Sequence, residues 1–243
     1  MGGSAPHWHL ISYADSDCYR RAAQAMADQA RGAFARRTVL GPGYMDPGFR
    51  RRNREILAQR RGGGLWCWKP YAVFRYALEE AREGDVIVYV DALYRFQDGG
   101  AERLAQWVRG ALSDDDVALV RMKPEPNRWE YREREWAKRD AYVLLGVDDR
   151  DDLKDATQAW AGFLAMRRSV RSMALLAEWM TYAQDIRAVG DGRSVLGRED
   201  AAMREHRHDQ TLLSLLAKRR GEALREFPRG CMVDLRHAGE GGC

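Results

Sequence analysis

The sequence predicts an α/β layered fold, and three observations carry that prediction. Short apolar runs of strand length, such as Val86–Val90, alternate with longer stretches whose apolar residues recur at helical spacing. Breaks such as Gly41-Pro42-Gly43 and Gly62-Gly63-Gly64 separate the two kinds of segment. The chain has 243 residues, enough for one central sheet covered by helices, and shows no internal repeat. A single domain over residues 1–243 is therefore expected, with a flexible tail from about residue 236, where glycines gather.

The elements follow in order. Residues 8–13 read as a first, buried strand. Residues 16–36 read as an alanine-rich helix capped by Asp15 or Ser16. A basic helix is expected over 46–59. Pro70 suits the first turn of a helix whose apolar face carries Tyr71, Phe74, Ala77 and Leu78. The unbroken apolar run Val86–Val90 is that of a strand covered on both faces. A helix over 102–109, a strand over 117–120 and a charged helix over 129–145 continue the alternation, with an exposed acidic loop at 148–152. A strand over 160–166, an amphipathic helix over 170–182 and a mobile glycine-rich stretch over 190–197 come next. His206 to Gln210 lead into a leucine-rich helix reaching about residue 219, and 231–235 read as a last strand.

Composition narrows the class. Hydrophobic residues make up 45% and charged residues 31%, as in soluble globular proteins. No apolar run approaches the roughly 20 residues that cross a bilayer. The first residues lack a basic segment followed by an apolar one, so a cytoplasmic location is expected. Cys18, Cys67, Cys231 and Cys243 include no CxxC pair, which argues against a structural zinc site. The net charge of +4 is too small to imply nucleic acid as a partner. The arginines at 50–54 and 60–61 are either solvated helix faces or contacts for an anionic group.

The residues able to carry chemistry cluster in three places. Asp91 directly follows the apolar run, at the strand end where open α/β sheets bind ligands. It is either a hard oxygen ligand for a divalent cation or a turn aspartate. Leu93, two residues on, supplies no second carboxylate. In the segment 62–71, three glycines let the backbone approach a ligand. There Lys69 suits a phosphate, and Trp66, Trp68 and Tyr71 suit a base or sugar ring; the alternative is a plain turn into a helix with core tryptophans. This segment, followed by a strand ending on a carboxylate, is how a Rossmann-like sheet presents a phosphate-bearing, metal-bound ligand. Finally, His206, His208 and Asp209 are either a weak metal pattern or a helix start with Asp209 as its cap. Asp209 is also placed to orient a substrate hydroxyl with Gln210 beside it, and His237 could add a late imidazole.

Taken in order, these segments resemble a family of GT-A-type glycosyltransferases that includes bacterial proteins and the first domain of a large algal-virus glycosyltransferase. The matching pieces are Ile11-Ser12-Tyr13-Ala14, Asn53 to Leu57, Trp68-Lys69-Pro70-Tyr71, Gly84-Asp85 and Tyr89-Val90-Asp91-Ala92. Lys138-Arg139-Asp140-Ala141, Ala161-Gly162-Phe163 and His206-Arg207-His208-Asp209-Gln210 complete the set, over roughly residues 8–220. The resemblance implies a GT-A-like central mixed sheet flanked by helices, and transfer of a sugar from a nucleotide diphosphate donor, a uridine one, with retention. Ser12, Tyr13, Ala14, Trp68, Lys69, Tyr71, Asp91 and His206 would line the nucleotide and donor, and Asp209 and Gln210 would face the donor sugar. A divalent cation, Mn²⁺ or Mg²⁺, would be held by Asp91 and His237. The acceptor stays open between a glycan, a small molecule and a peptide. Three alternatives stand beside this reading. One is a non-catalytic nucleotide-sugar binding module, suggested by Leu93; a second is a metal-dependent hydrolase built on His206, His208 and Asp209; the third is a basic nucleic-acid binder using the arginines at 50–61.

Overall fold

The computed structural model describes residues 5–123 and 130–236. Its main sheet is built from β1 (Trp8–Tyr13), β2 (Arg36–Leu40), β3 (Val86–Val90), β5 (Val117–Val120), β6 (Phe163–Arg167) and β7 (Leu224–Arg225); β4 (Tyr94–Phe96) and β8 (Met232–Asp234) form a separate antiparallel ribbon. The main sheet runs in the order β2-β1-β3-β6-β5-β7. β1 pairs in parallel with β2 and β3, whereas β6 runs antiparallel to both β3 and β5. The mixed sheet expected from the sequence is therefore present.

Helices cover both faces. In chain order they are α1 (Asp17–Gln29), α2 (Pro47–Arg52), α3 (Arg54–Leu57), α4 (Gly62–Leu65), α5 (Trp68–Glu79), α6 (Gly100–Ala111), α7 (Glu133–Trp136) and α8 (Arg139–Leu144). α9 (Asp151–Lys154), α10 (Val170–Ala183), α11 (Ile186–Val189) and α12 (His208–Arg219) follow. Successive strand residues point to opposite faces, so the sheet divides its apolar side chains between two cores. Ile11, Tyr13, Ile87 and Tyr89 pack with Leu176 and Trp179 of α10 and Leu212 of α12. Leu10, Val86, Val88 and Val90 pack with Met26 of α1 and Leu104 of α6. This two-sided burial is why β3 carries no polar residue until Asp91.

Several boundaries differ from expectation, each for a local reason. α1 stops at Gln29, where the Ala30 N–H turns back to Ala27 and Asp28. The chain then forms β2, an edge strand the sequence did not announce because Arg36 and Arg37 lack an apolar alternation. The basic helix breaks at Asn53, whose side-chain amide donates to Phe49 O and to Gln184 Oε1, both at 2.9 Å. The charged helix, part of which lies outside the described residues, is reduced to α7 and α8, because Ala137 and Lys138 are extended. The acidic loop closes into the single turn of α9. β6 begins at Phe163, leaving residues 160–162 as the turn that enters it. The glycine-rich stretch is tied down: Lys138 donates to Gly192 O at 2.7 Å, and the Val195 and Leu196 N–H groups donate to the buried Asp140 carboxylate. Among the described residues no helix is long and apolar enough to cross a membrane.

Candidate functional site

Asp91 directly follows β3, and at that edge of the sheet lie the end of β1, the turn entering β6, the first turn of α5 and the start of α12. β1 and β3 pair Ile11 with Tyr89; extending that register by two residues sets Tyr13 abreast of Asp91. Site and scaffold share one sequence pattern here. Tyr89 and Asp91 lie two apart on one strand face, and the Tyr89 hydroxyl donates to Asp91 Oδ1 at 2.7 Å.

Lys69 organises this corner. It leaves the first turn of α5 fully buried, and its ammonium lies 3.1 Å from Asp91 Oδ1, 3.5 Å from Asp209 Oδ2 and 3.2 Å from the Ala161 carbonyl oxygen. The ammonium thus lies among three protein oxygens, with Asp209 Oδ2 held by charge and accepting no hydrogen bond among the described residues, so in this geometry Lys69 joins two carboxylates rather than presenting a free cation to a phosphate. Burial alone would lower its pKa, but the charges of Asp209 and Asp91 outweigh it and hold it above its ordinary value. One ammonium cannot fully compensate two anions. Burial, with the repulsion of Asp91, pushes the Asp209 carboxyl up to about 7 against the pull of Lys69.

Asp209 is not the cap of α12. It occupies the first turn, after Arg207 as cap and a His208 held at φ +50°. Its carbonyl accepts from the Trp179 indole at 2.9 Å, which fixes the start of α12 against α10. Gln210 follows with both ends of its amide engaged: Oε1 accepts from the Ala161 N–H at 3.3 Å, and Nε2 donates to Gln158 Oε1 at 3.0 Å. Ala161 therefore connects Gln210 to Lys69.

The glycine turn supports the site from behind. Residues 62–66 all have positive φ, and at Gly64 an added Cβ would lie 2.8 Å from Leu57 Cα. The turn delivers Trp68, whose indole donates to Gly62 O at 2.9 Å and whose ring stacks on Tyr13 with centroids 3.7 Å apart. These rings face each other, so each has one face already covered. Tyr71 points elsewhere, stacking on Phe49 and donating to Asp46. Ser12 and Ala14 are buried at the end of β1; the Ser12 hydroxyl has no hydrogen-bond partner among the described residues, and the Ala14 N–H donates to Leu40 O.

The histidines do not converge on a metal. His206 accepts from the Lys138 N–H at 3.3 Å and meets Ala188 O at 2.8 Å, so both ring nitrogens are used inside the protein. Burial, with the neighbouring His208, keeps His206 well below its usual pKa and hence neutral. His208 meets Val189 O at 2.8 Å. Among the described residues no three His, Cys, Asp or Glu side chains gather as a metal site, and His237 lies outside the described residues. A Mg²⁺ or Mn²⁺ that shares its shell with substrate phosphates needs only one or two protein carboxylates. Asp91 fits that lesser demand: Oδ1 is bonded inward, and the side chain remains 31% exposed.

Two features escaped the sequence. The ribbon brings residues 232–236 back to this corner, where the Leu235 N–H donates to Leu93 O at 3.1 Å. Arg236 then binds Asp234 and the Tyr94 hydroxyl, the latter at 2.8 Å. The second feature is the pair Glu133 and Gln158 behind Gln210. Neither sits in a local motif; Tyr89 alone could have been found, from its two-residue spacing to Asp91. A separate surface pocket of about 290 Å³, lined among others by Arg139, Tyr142 and Lys154, shares no residue with this cluster.

No protein-family model and no curated protein matches the chain. Solved structures do match. The apo form of mouse xyloside xylosyltransferase 1 is 10% identical, with a TM-score of 0.46, over 90% of this chain and 84% of that one. A glycosyltransferase involved in the glycosylation of the major capsid of PBCV-1 is 8% identical, with a TM-score of 0.42, over 72% of this chain and 66% of that one. The WbbM bifunctional glycosyltransferase, in its apo structure, is 12% identical, also at 0.42, over 76% of this chain and 35% of that one. Similarities at this level transfer neither residues nor activity to the chain.

Proposed function

We propose that the chain is a glycosyltransferase that moves a sugar from a nucleotide diphosphate donor, a uridine one, to an acceptor hydroxyl with retention. The observation that carries this reading is the Lys69-linked pair of carboxylates, Asp91 and Asp209, at the carboxyl end of β3 with Gln210 joined to it through Ala161. In such a transfer the bond from the anomeric carbon to the diphosphate oxygen breaks, its electron pair leaves with the diphosphate, and the acceptor oxygen bonds to the carbon and passes its proton to the departing diphosphate. Positive charge develops on the sugar, and a fixed carboxylate and amide oxygen beside it lower the barrier electrostatically. Asp209 would hold donor hydroxyls, Gln210 would lie against the anomeric carbon, and the end of β1 would lie by the nucleotide.

Asp91, with His237, would hold a divalent cation, which when bound offsets the charge of the diphosphate. Lys69 acts by setting both carboxylates rather than by contacting phosphate.

Leu93 favours a second reading, a module that binds nucleotide sugars without turning them over. Incubating purified protein with nucleotide sugars and Mn²⁺ separates the two. Donor hydrolysis or transfer that is lost in Asp91→Ala is expected. Binding, seen as a rise in Tm with nucleotide diphosphates but no turnover, would leave the binding module instead.

A further inference from the structure

We propose that Glu133 is a positioning residue that fixes the direction of the Gln210 amide, so that its oxygen, not its nitrogen, is turned toward the Lys69–Asp91–Asp209 cluster. The inference rests on the reading above that Gln210 lies against the donor sugar.

Glu133 is fully buried in α7 and can only accept. Its Oε1 takes hydrogen bonds from Lys218 Nζ at 2.6 Å and from the Ser214 hydroxyl. Its Oε2 is left for Gln158, whose Nε2 donates to it at 2.7 Å. The same nitrogen reaches Thr211 Oγ1 at 3.1 Å, and the Thr211 hydroxyl itself donates to Trp136 O at 2.9 Å. Both N–H groups of Gln158 are therefore spent, and its oxygen must accept. The donor it meets is Gln210 Nε2, at 3.0 Å. With its nitrogen held at the back, Gln210 turns its oxygen to the Ala161 N–H at 3.3 Å, the residue whose carbonyl receives Lys69 at 3.2 Å.

Reversing the amide would break this chain at two places. It would set the side-chain oxygens of Gln210 and Gln158 against each other, and it would leave the Ala161 N–H facing another donor. In a buried network each such mismatch is costly. The chemical consequence lies at the sugar. A carbonyl oxygen carries partial negative charge and suits a carbon that becomes positive, whereas an NH₂ group there would oppose it. The anchor lies three side chains into the protein, on α7, whose Trp136 carbonyl also holds the Thr211 hydroxyl.

The test reads the amide directly and the turnover separately. Side-chain ¹⁵N–¹H₂ resonances of Gln210, assigned by their absence in Gln210→Glu, are followed in two variants. Gln158→Met removes the relay while leaving Glu133, Lys218 and Ser214 in place. The paired change Glu133→Met with Lys218→Met removes the anchor without stranding a buried ammonium. In both, the Gln210 NH₂ pair is expected to shift and to exchange faster with water. Donor turnover is expected to fall in kcat by roughly one to two orders of magnitude, with KM little changed. A Gln210 pair unmoved in either folded variant overturns the proposal, as does a shifted pair with unchanged kcat. If wild-type protein turns over no nucleotide sugar at all, the function proposed above fails, while the resonances still decide whether Glu133 sets the amide.

Discussion

Lys69 shows how far a residue's surroundings change what its type suggests. A lysine beside tryptophans after a glycine turn reads as a phosphate ligand, yet its ammonium is enclosed by Asp91, Asp209 and Ala161. Removing it would leave two carboxylates without their cation, so Lys69→Met is expected to destabilise the fold by about 3–5 kcal/mol, measured by denaturant unfolding. Asp209 makes a prediction about pH. Its folded pKa of about 7 stands above the unfolded value of 3.8, so between those values the folded state holds a proton that the unfolded state has lost. Asp209's share of the stability is therefore greatest below about pH 4 and declines as pH rises toward 7. A series of melting curves from pH 4 to 8 should show this decline in the wild type and a flatter profile in Asp209→Asn. The site residues were legible as types, because aspartate at a strand end and Asp-Gln at a helix start are visible in the sequence. Their partners were not, because Lys69 meets Asp209 across 140 positions of chain.

Among the elements, the glycine turn matters most to the site. Its positive φ angles continue through Leu65 and Trp66, residues that rarely adopt them. The turn persists because α5, the Tyr13–Trp68 stack and the contact of Trp66 with His208 hold it. Gly64→Ala would combine a φ of +102° with a Cβ 2.8 Å from Leu57 Cα. It is expected to destabilise by at least about 1–3 kcal/mol, whereas Gly43→Ala, with open space around it, should change stability by less than about 1 kcal/mol in the same denaturant titration. Strands β3 and β5 were readable because burial on both faces demands continuous apolar runs. β2 was not, since an edge strand needs little apolar surface. The short helices α7 and α8 were read as one because charge pattern alone does not reveal that Ala137 and Lys138 are extended.

At the scale of the whole molecule, residues 232–234 return to pair with β4, just after the strand that carries the site. β8 is the partner of β4, which begins three residues after Asp91, and the backbone of Cys231 packs so closely on Gly100 that a Cβ there would lie 2.1 Å from its carbonyl oxygen. Ending the chain at residue 229 would strip β4 of this partner and remove the Asp234–Arg236–Tyr94 contacts. The expected result is a lower Tm together with loss of the nucleotide-induced rise in Tm, while far-UV circular dichroism still reports the helices and the main sheet. By itself the sequence determined the alternation of strands and helices, the burial of β3 on both faces and the residue types at strand and helix ends. Those follow from local periodicity, backbone preference and the cost of burying polar groups. The tertiary structure decided which of the candidate groups meet. It brought Lys69, Asp91, Asp209 and Gln210 together, turned Tyr71 and His206 to other partners, and set Glu133 and Gln158 behind the site. Such pairings depend on strand order and helix packing across long sequence separations, which no local pattern of residues encodes.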